Sequence, residues 1–248
     1  MKGKWFIIAF AVVMTIFVLN NIAAALTFDF VGNDAKKWFD EFVKSKKTTI
    51  GGADAGWHLT ADGLTTNNDV VSGHDRIGIA EDWTDYTLES QYQYLKFGAH
   101  KEAHLYVRWN DQANNYFFRT IGRTNAGGAG SGWSIEWLRK VGAADNEGDI
   151  TDDKKILGDL KEKTLYGLRG EIKDQTLMVD FFNGKEWLPA GEVTYPGTFK
   201  KGGIGVGRSS TEMAFQYLRV NGTGIAPDAT PVQALGKLAT TWGRLKRW

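Results

Sequence analysis

Tyr86-Thr87-Leu88-Glu89-Ser90-Gln91-Tyr92-Gln93-Tyr94 alternates apolar and polar side chains over its whole length. Successive strand residues point to opposite faces, so this is the pattern of a strand with one buried side. The same period of two returns in Leu105 to Trp109, Tyr116 to Ile121 and Trp133 to Trp137. It continues in Leu168 to Lys173, Gln175 to Phe182, Ile204 to Arg208 and Ala214 to Val220. Short alternating runs separated by turn residues predict an all-β, two-sheet antiparallel sandwich. Phe182-Asn183-Gly184-Lys185 predicts a type I′ hairpin turn, whose two central residues need positive φ. Thirty Gly and only four Pro suit many tight turns and few blocked strands. Asn33 is expected to cap one early helix over Asp34 to Lys44, with Trp38, Phe39 and Phe42 on one side.

The chain of 248 residues is long enough for one such sandwich and short extras. Its 30 basic and 29 acidic residues give a net charge of +1, so no global field attracts nucleic acid. With no Cys there are no disulfides, no thiol catalysis and no Cys-bound metal. Ten Trp supply flat, semi-polar surface for a core or for stacking on sugars.

The two ends read differently from the middle. Lys2 and Lys4 precede an apolar run from Trp5 to Leu19, and Ala23-x-Ala25 offers small residues for cleavage. That run is about 15 residues against the ~20 of a spanning helix, so residues 1–25 are expected to be a signal peptide, with a membrane anchor as the alternative. Either places the rest outside the cytoplasm, secreted, periplasmic or extracellular. The sandwich is expected over residues 26–222. Residues 223–231, rich in Gly and Pro, read as a linker. Residues 232–248 carry Leu235, Leu238, Trp242, Leu245 and Trp248 at helical spacing among Lys237, Arg244, Lys246 and Arg247. This basic amphipathic tail is expected to be a short helix, on a surface or docked on the sandwich. Membrane contact is expected only through the first segment or this tail.

Several stretches resemble one group of exported domains. Gly56-Trp57-His58-Leu59-Thr60-Ala61-Asp62-Gly63-Leu64 is similar to their opening W-x-x-x-x-G-x-L. Glu81-Asp82-Trp83-Thr84-Asp85-Tyr86-Thr87-Leu88-Glu89 is similar to D-W-x-D-Y-x-x-E. Leu105-Tyr106-Val107-Arg108-Trp109-Asn110-Asp111 with Asn115-Tyr116-Phe117-Phe118-Arg119 resembles their arginine-bearing hairpin. Leu177 to Lys185, Lys201 to Val206 and Phe215 to Val220 resemble later strands in the same order. The group is the concanavalin A-like, laminin-G-like jelly rolls, including the family 16-like sandwiches, and the resemblance covers about Leu26 to Asn221. It implies a concanavalin A-like jelly roll. It does not choose between carbohydrate-binding modules, adhesion domains and glycoside-processing enzymes.

Candidate residues follow from both readings. Arg108, Asn110, Tyr116, Arg119 and Glu136, with Trp133 and Trp137, lie on adjacent strands of the sheet that carries ligands on its concave side in related folds. Bidentate Arg and flat aromatic faces suit sugar hydroxyls, carboxylates and ring C–H faces. The alternative is an Arg–Glu ladder over a Trp-rich core. A glycosidase of this superfamily needs two carboxylates on one face. The nearest string to its Glu-x-Asp-x-x-Glu motif, Glu147-Gly148-Asp149-Ile150-Thr151-Asp152, ends in Asp and lies in a polar stretch without alternation. The strand acids left as catalytic candidates are Glu89, Glu136 and Glu171.

No organic cofactor is implied. The acidic stretch with Asp145, Glu147 and Asp149 offers hard oxygen ligands and supplies the calcium candidates, while Gln216 departs from the Asp with which related domains often help hold calcium. His100 and His104 are four apart on a strand, about 13 Å, too far to share an ion. His58 and His74 are isolated in the sequence, and no zinc site is expected. The sequence therefore leads to an exported, non-catalytic recognition module for a polysaccharide or glycan. A glycoside hydrolase and a structural or adhesive envelope domain are the alternatives.

Overall fold

The computed structural model describes residues 25–52, 56–66, 74–123, 132–142, 144–148, 157–195 and 197–226. The order of elements is β1 (Leu26–Asp29), α1 (Ala35–Val43), β2 (Thr48–Gly51), β3 (His58–Thr60), β4 (Gly63–Thr65) and β5 (His74–Ile79). Next come β6 (Tyr86–Asp111), β7 (Asn114–Arg123), β8 (Gly132–Val141), β9 (Ala144–Gly148) and β10 (Leu165–Lys173). The series ends with β11 (Thr176–Phe182), β12 (Trp187–Thr194), β13 (Gly203–Phe215) and β14 (Tyr217–Gly222).

All pairings are antiparallel, and two long strands tie the ladder together. β6 is 26 residues long and β13 is 13. The first half of β6 pairs with β10, with β14 and with Thr211 to Phe215 of β13. Its second half pairs with β7 and with Gly203 to Ser209 of β13. The ladder between β6 and β13 slips between Ser209 and Thr211, where Ser210 has φ 47°. Strands that bend at irregularities of this kind pass from one sheet to the other. The first layer runs β12-β11-β10-β6 and on to β14 with β1, or to the end of β13 with β4 and β3. The second runs β9-β8-β7-β6-β13-β5-β2.

Alternation decides what the layers bury. Leu88, Tyr92, Leu168 and Phe181 of the first layer share one core with Leu105, Val107, Phe118, Ile204 and Val206 of the second. Each fully buried side chain of this size contributes about 1.5–3 kcal/mol. The Thr120 hydroxyl lies 2.9 Å from that of Tyr92 and 2.7 Å from that of Tyr94, bridging the layers. Gly170 is required where β10 meets β7, because a Cβ there would lie 2.6 Å from the Phe118 ring.

Two local expectations change. The helix starts at Ala35 after Asp34, with no side-chain cap; Asn33 does not cap it. It holds by burying Trp38 and Phe42 against Phe28 and Phe30 of the first strand region. The β11–β12 hairpin forms, but its loop has four residues between the paired Phe182 and Trp187. Only Gly184 has positive φ there, at +95°, while the Asn183 side chain accepts from the Lys185 and Glu186 amides. The Asn side chain satisfies the turn itself, so it need not enter the left-handed region. The signal or anchor segment, the linker past Ala226 and the C-terminal tail lie outside the described residues. Among the described residues no helix is long and apolar enough to cross a membrane.

Candidate functional site

The face of the second layer turned away from the main core carries charged and apolar side chains, most of them buried. In β6 the run Glu102-Ala103-His104-Leu105-Tyr106-Val107 sends Ala103, Leu105 and Val107 to the core. Glu102, His104 and Tyr106 therefore point to the other side. Register aligns this side into rows. Glu136 of β8 pairs with Arg119 of β7, Arg119 with His104, His104 with Gly207 of β13, and Gly207 with Arg76 of β5. In the next row Ile121 pairs with Glu102, Glu102 with Ser209, and Ser209 with His74. Beyond Tyr106, Phe117, Leu138 and Trp109 make a small apolar cluster separate from the main core.

Arg119 is the centre of the charged part. Its Nη1 donates to Glu102 Oε2 at 2.9 Å, and its Nη2 and Nε donate to Glu136 Oε2 at 2.6 and 3.1 Å. His104 is fully buried, and Glu102, Glu136 and Arg119 are 3%, 5% and 6% exposed. His104 Nε2 lies 2.8 Å from Glu102 Oε2 and its Nδ1 3.1 Å from the Tyr106 hydroxyl. An ionised carboxylate only accepts, so Nε2 carries the imidazole proton and Nδ1 accepts from Tyr106. Burial pushes His104 down to about 4, against the opposing pull of Glu102, so the ring is neutral near pH 7. Burial alone would raise Glu102, but the hydrogen bond from His104 and the charge of Arg119 help outweigh it and hold the carboxyl below its ordinary range. Burial raises the Tyr106 phenol, which Arg76 also reaches. His74 lies at the exposed start of β5, its ring 5.8 Å from that of His104.

The residues expected from sequence divide between the two sides. Arg119 and Glu136 come together on the outward face. Tyr116, Trp133 and Trp137 turn to the core side, with Tyr116 stacked 4.0 Å from Tyr195 and Trp133 5.4 Å from Tyr94. Tyr116 and Arg119 are three apart on one strand and so cannot share a face. Arg108 sits at a register shift with φ 51° and is 1% exposed. It donates to the Phe199 and Asp174 carbonyls, tying loops to the sandwich. Asn110 is exposed and bonds the Arg108 carbonyl at 3.2 Å.

The acids divide as well. Glu89 lies on the outward face of the first layer, accepting from Tyr217 at 2.6 Å and Arg219 at 3.2 Å. Glu171 is exposed on β10, two residues along from Arg169, which pairs with Glu89 in the ladder. The acids that meet are Glu136 and Glu102, and Glu102 was not among the sequence candidates. Its signal was present in the alternation of Glu102, His104 and Tyr106 within one strand.

The residues do not fit calcium at this site. Calcium takes six to eight oxygen ligands, and the described residues that could hold an ion together are His74, Glu102 and His104. Of the acids expected for calcium, Asp145 and Glu147 lie on β9, and Asp149 lies outside the described residues.

No protein-family model matches the chain. No curated protein matches it either. Among solved structures it is similar to the carbohydrate-binding module CBM66 from Bacillus subtilis, with TM-score 0.54 and 14% identity over 71% of this chain and 98% of that one. It is also similar to the exoplasmic/lumenal domain of VIP36 in its Ca2+/Man-bound form, with TM-score 0.53 and 12% identity over 84% and 93%. The metal-free form of that domain aligns with TM-score 0.50 and 13% identity over 82% and 93%. With its two-layer antiparallel topology, the chain has a concanavalin A-like jelly-roll fold.

Proposed function

We propose that this protein is an exported, non-catalytic recognition module that binds carbohydrate on the outward face of its second layer. The observation that carries the reading is Arg119, held by Glu102 and Glu136 on a face the main core does not use. A buried charge network costs several kcal/mol in desolvation, so it is weak evidence for stability and calls for another role. Tyr106, Trp109 and Phe117 are at most 6% exposed, so they and the network give this face its shape, and a sugar's hydroxyls meet fixed donors and acceptors at its exposed rim. The jelly-roll likeness to a carbohydrate-binding module and to a Man-bound domain supports the same class of ligand. Export rests on the basic and apolar segment at residues 1–25. Contact with a membrane is assigned to that segment or to residues 232–248.

One observation favours a second reading. Glu102 and Glu136 meet at one guanidinium, and paired carboxylates hydrolyse glycosides. Both carboxylates are nearly buried and bonded through Oε2 to the same guanidinium, which leaves neither placed to protonate a leaving group. That favours recognition over hydrolysis.

The test is a panel of neutral and acidic polysaccharides on the purified chain, read for bound and for released sugar. Binding without release, weakened at least about tenfold by Glu136→Gln, is the expected result. Release of sugar would establish the hydrolase instead and make Glu102 and Glu136 its acids. A silent panel would sink both readings.

A further inference from the structure

We infer that His74, Glu102 and His104 form a site for a divalent transition metal of the zinc class. This goes beyond carbohydrate recognition and stands without it.

The three residues come from β5 and β6, which are separated by β13. Two steps across a sheet cover about 9.6 Å. Gly207 of β13 pairs with His104, and Ser209 pairs with both Glu102 and His74, so the strand between them presents only small side chains at the crossing. The imidazoles lean together over this gap to a ring separation of 5.8 Å. One donor atom from each of the three residues falls within 4.8 Å of the others. A tetrahedral zinc ion bonds nitrogen and oxygen at about 2.0–2.1 Å, which sets its ligands roughly 3.3 Å apart. The difference is of the size a side-chain rotation supplies, and exposed His74 is the residue placed to make it. The same exposure gives the ion its access route.

The donor set selects the ion. Two imidazoles and a carboxylate suit zinc or copper and are poor for calcium or magnesium. Three protein ligands leave one position open, as in zinc sites that bind a further molecule. The surroundings hold the ligands in place. Both bonds to Glu102 fall on Oε2, from His104 and Arg119, which fixes the carboxylate. Glu136 offsets the Arg119 charge. When an ion takes the place of the His104–Glu102 hydrogen bond, the neutral ring keeps its one proton by moving it to Nδ1. The Tyr106 oxygen, 3.1 Å away, then accepts it. Metal-bound histidines generally donate their other ring N–H to such a partner.

The experiment titrates the full chain, freed of metal with a chelator, with Zn2+ by calorimetry and with Co2+ by visible absorption. One equivalent and an intense tetrahedral cobalt spectrum are expected. His74→Ala, at an exposed strand end, is expected to fold normally by circular dichroism and to weaken Zn2+ binding at least about tenfold. No uptake by the unaltered chain, or undiminished affinity in folded His74→Ala, would overturn the site. Running the glycan panel with chelator and with zinc keeps the two readings apart. Zinc uptake with a silent panel leaves the metal site standing and removes the carbohydrate reading. Glycan binding without zinc uptake does the reverse.

Discussion

Gly207 faces His104 across the β13–β6 ladder, and a Cβ placed on it would lie 3.0 Å from the Tyr106 hydroxyl that bonds His104. The same Cβ would lie 2.7 Å from the Asp75 carbonyl oxygen, which is backbone and cannot simply rotate away. Gly207→Ala is therefore expected to destabilise the fold by about 1–3 kcal/mol through overpacking. Denaturant unfolding checks the magnitude. A change in the tyrosine near-ultraviolet signal of the folded variant checks that Tyr106 is displaced.

Arg119 supplies the positive charge between two buried carboxylates. Removing one partner of a buried ionic network leaves charge uncompensated, which costs about 3–5 kcal/mol. Arg119→Met should lose stability on that scale in urea unfolding at pH 7. Adding Glu102→Gln and Glu136→Gln should restore most of it, since no unpaired charge is then left behind. A single variant as stable as the parent would mean that water reaches the carboxylates.

His104 makes stability depend on pH with a definite sign. Its folded value is depressed from 6.5 to about 4, because burial disfavours the charged ring. The unfolded chain therefore binds the proton more tightly than the folded one. The resulting stability is fully present above pH 6.5 and is lost as pH falls toward about 4. The loss is of order 3 kcal/mol. Unfolding free energies measured in metal-free buffer between these limits should show the slope, and His104→Asn should flatten it.

The fold was legible because alternation is a direct print of a half-buried strand. Tyr86 to Tyr94 and Leu168 to Lys173 stand in neighbouring strands of one layer, with their apolar members inward. The site was legible only in part. Period two already separates Tyr116 from Arg119 and Trp133 from Glu136, since each pair is three apart. What it cannot give is which strands become neighbours. His74 and His104 are 30 positions apart, and β13, which lies between their strands, comes a hundred residues later. Arg108 misleads for another reason: by parity it should join His104 and Tyr106, but the register slips after Val107 and turns it inward.

That inward turn yields the last expectation. The Arg108 guanidinium donates to the Asp174 carbonyl at 2.8 Å and the Phe199 carbonyl at 3.2 Å, while its backbone amide donates to the Tyr86 hydroxyl at 2.7 Å. These bonds join the β10–β11 turn and the loop before β13 to the C-terminal end of β6. Hydrogen bonds from a charged donor contribute about 1.5–3 kcal/mol, and truncation also leaves two carbonyls without this partner. Arg108→Ala should lower the unfolding free energy by about 2–4 kcal/mol and raise hydrogen exchange at both loops. Because the side chain faces away from Arg119 and Glu136, glycan affinity per folded molecule should be unchanged. A selective loss of affinity at full stability would return Arg108 to the ligand surface, where its sequence neighbours first placed it.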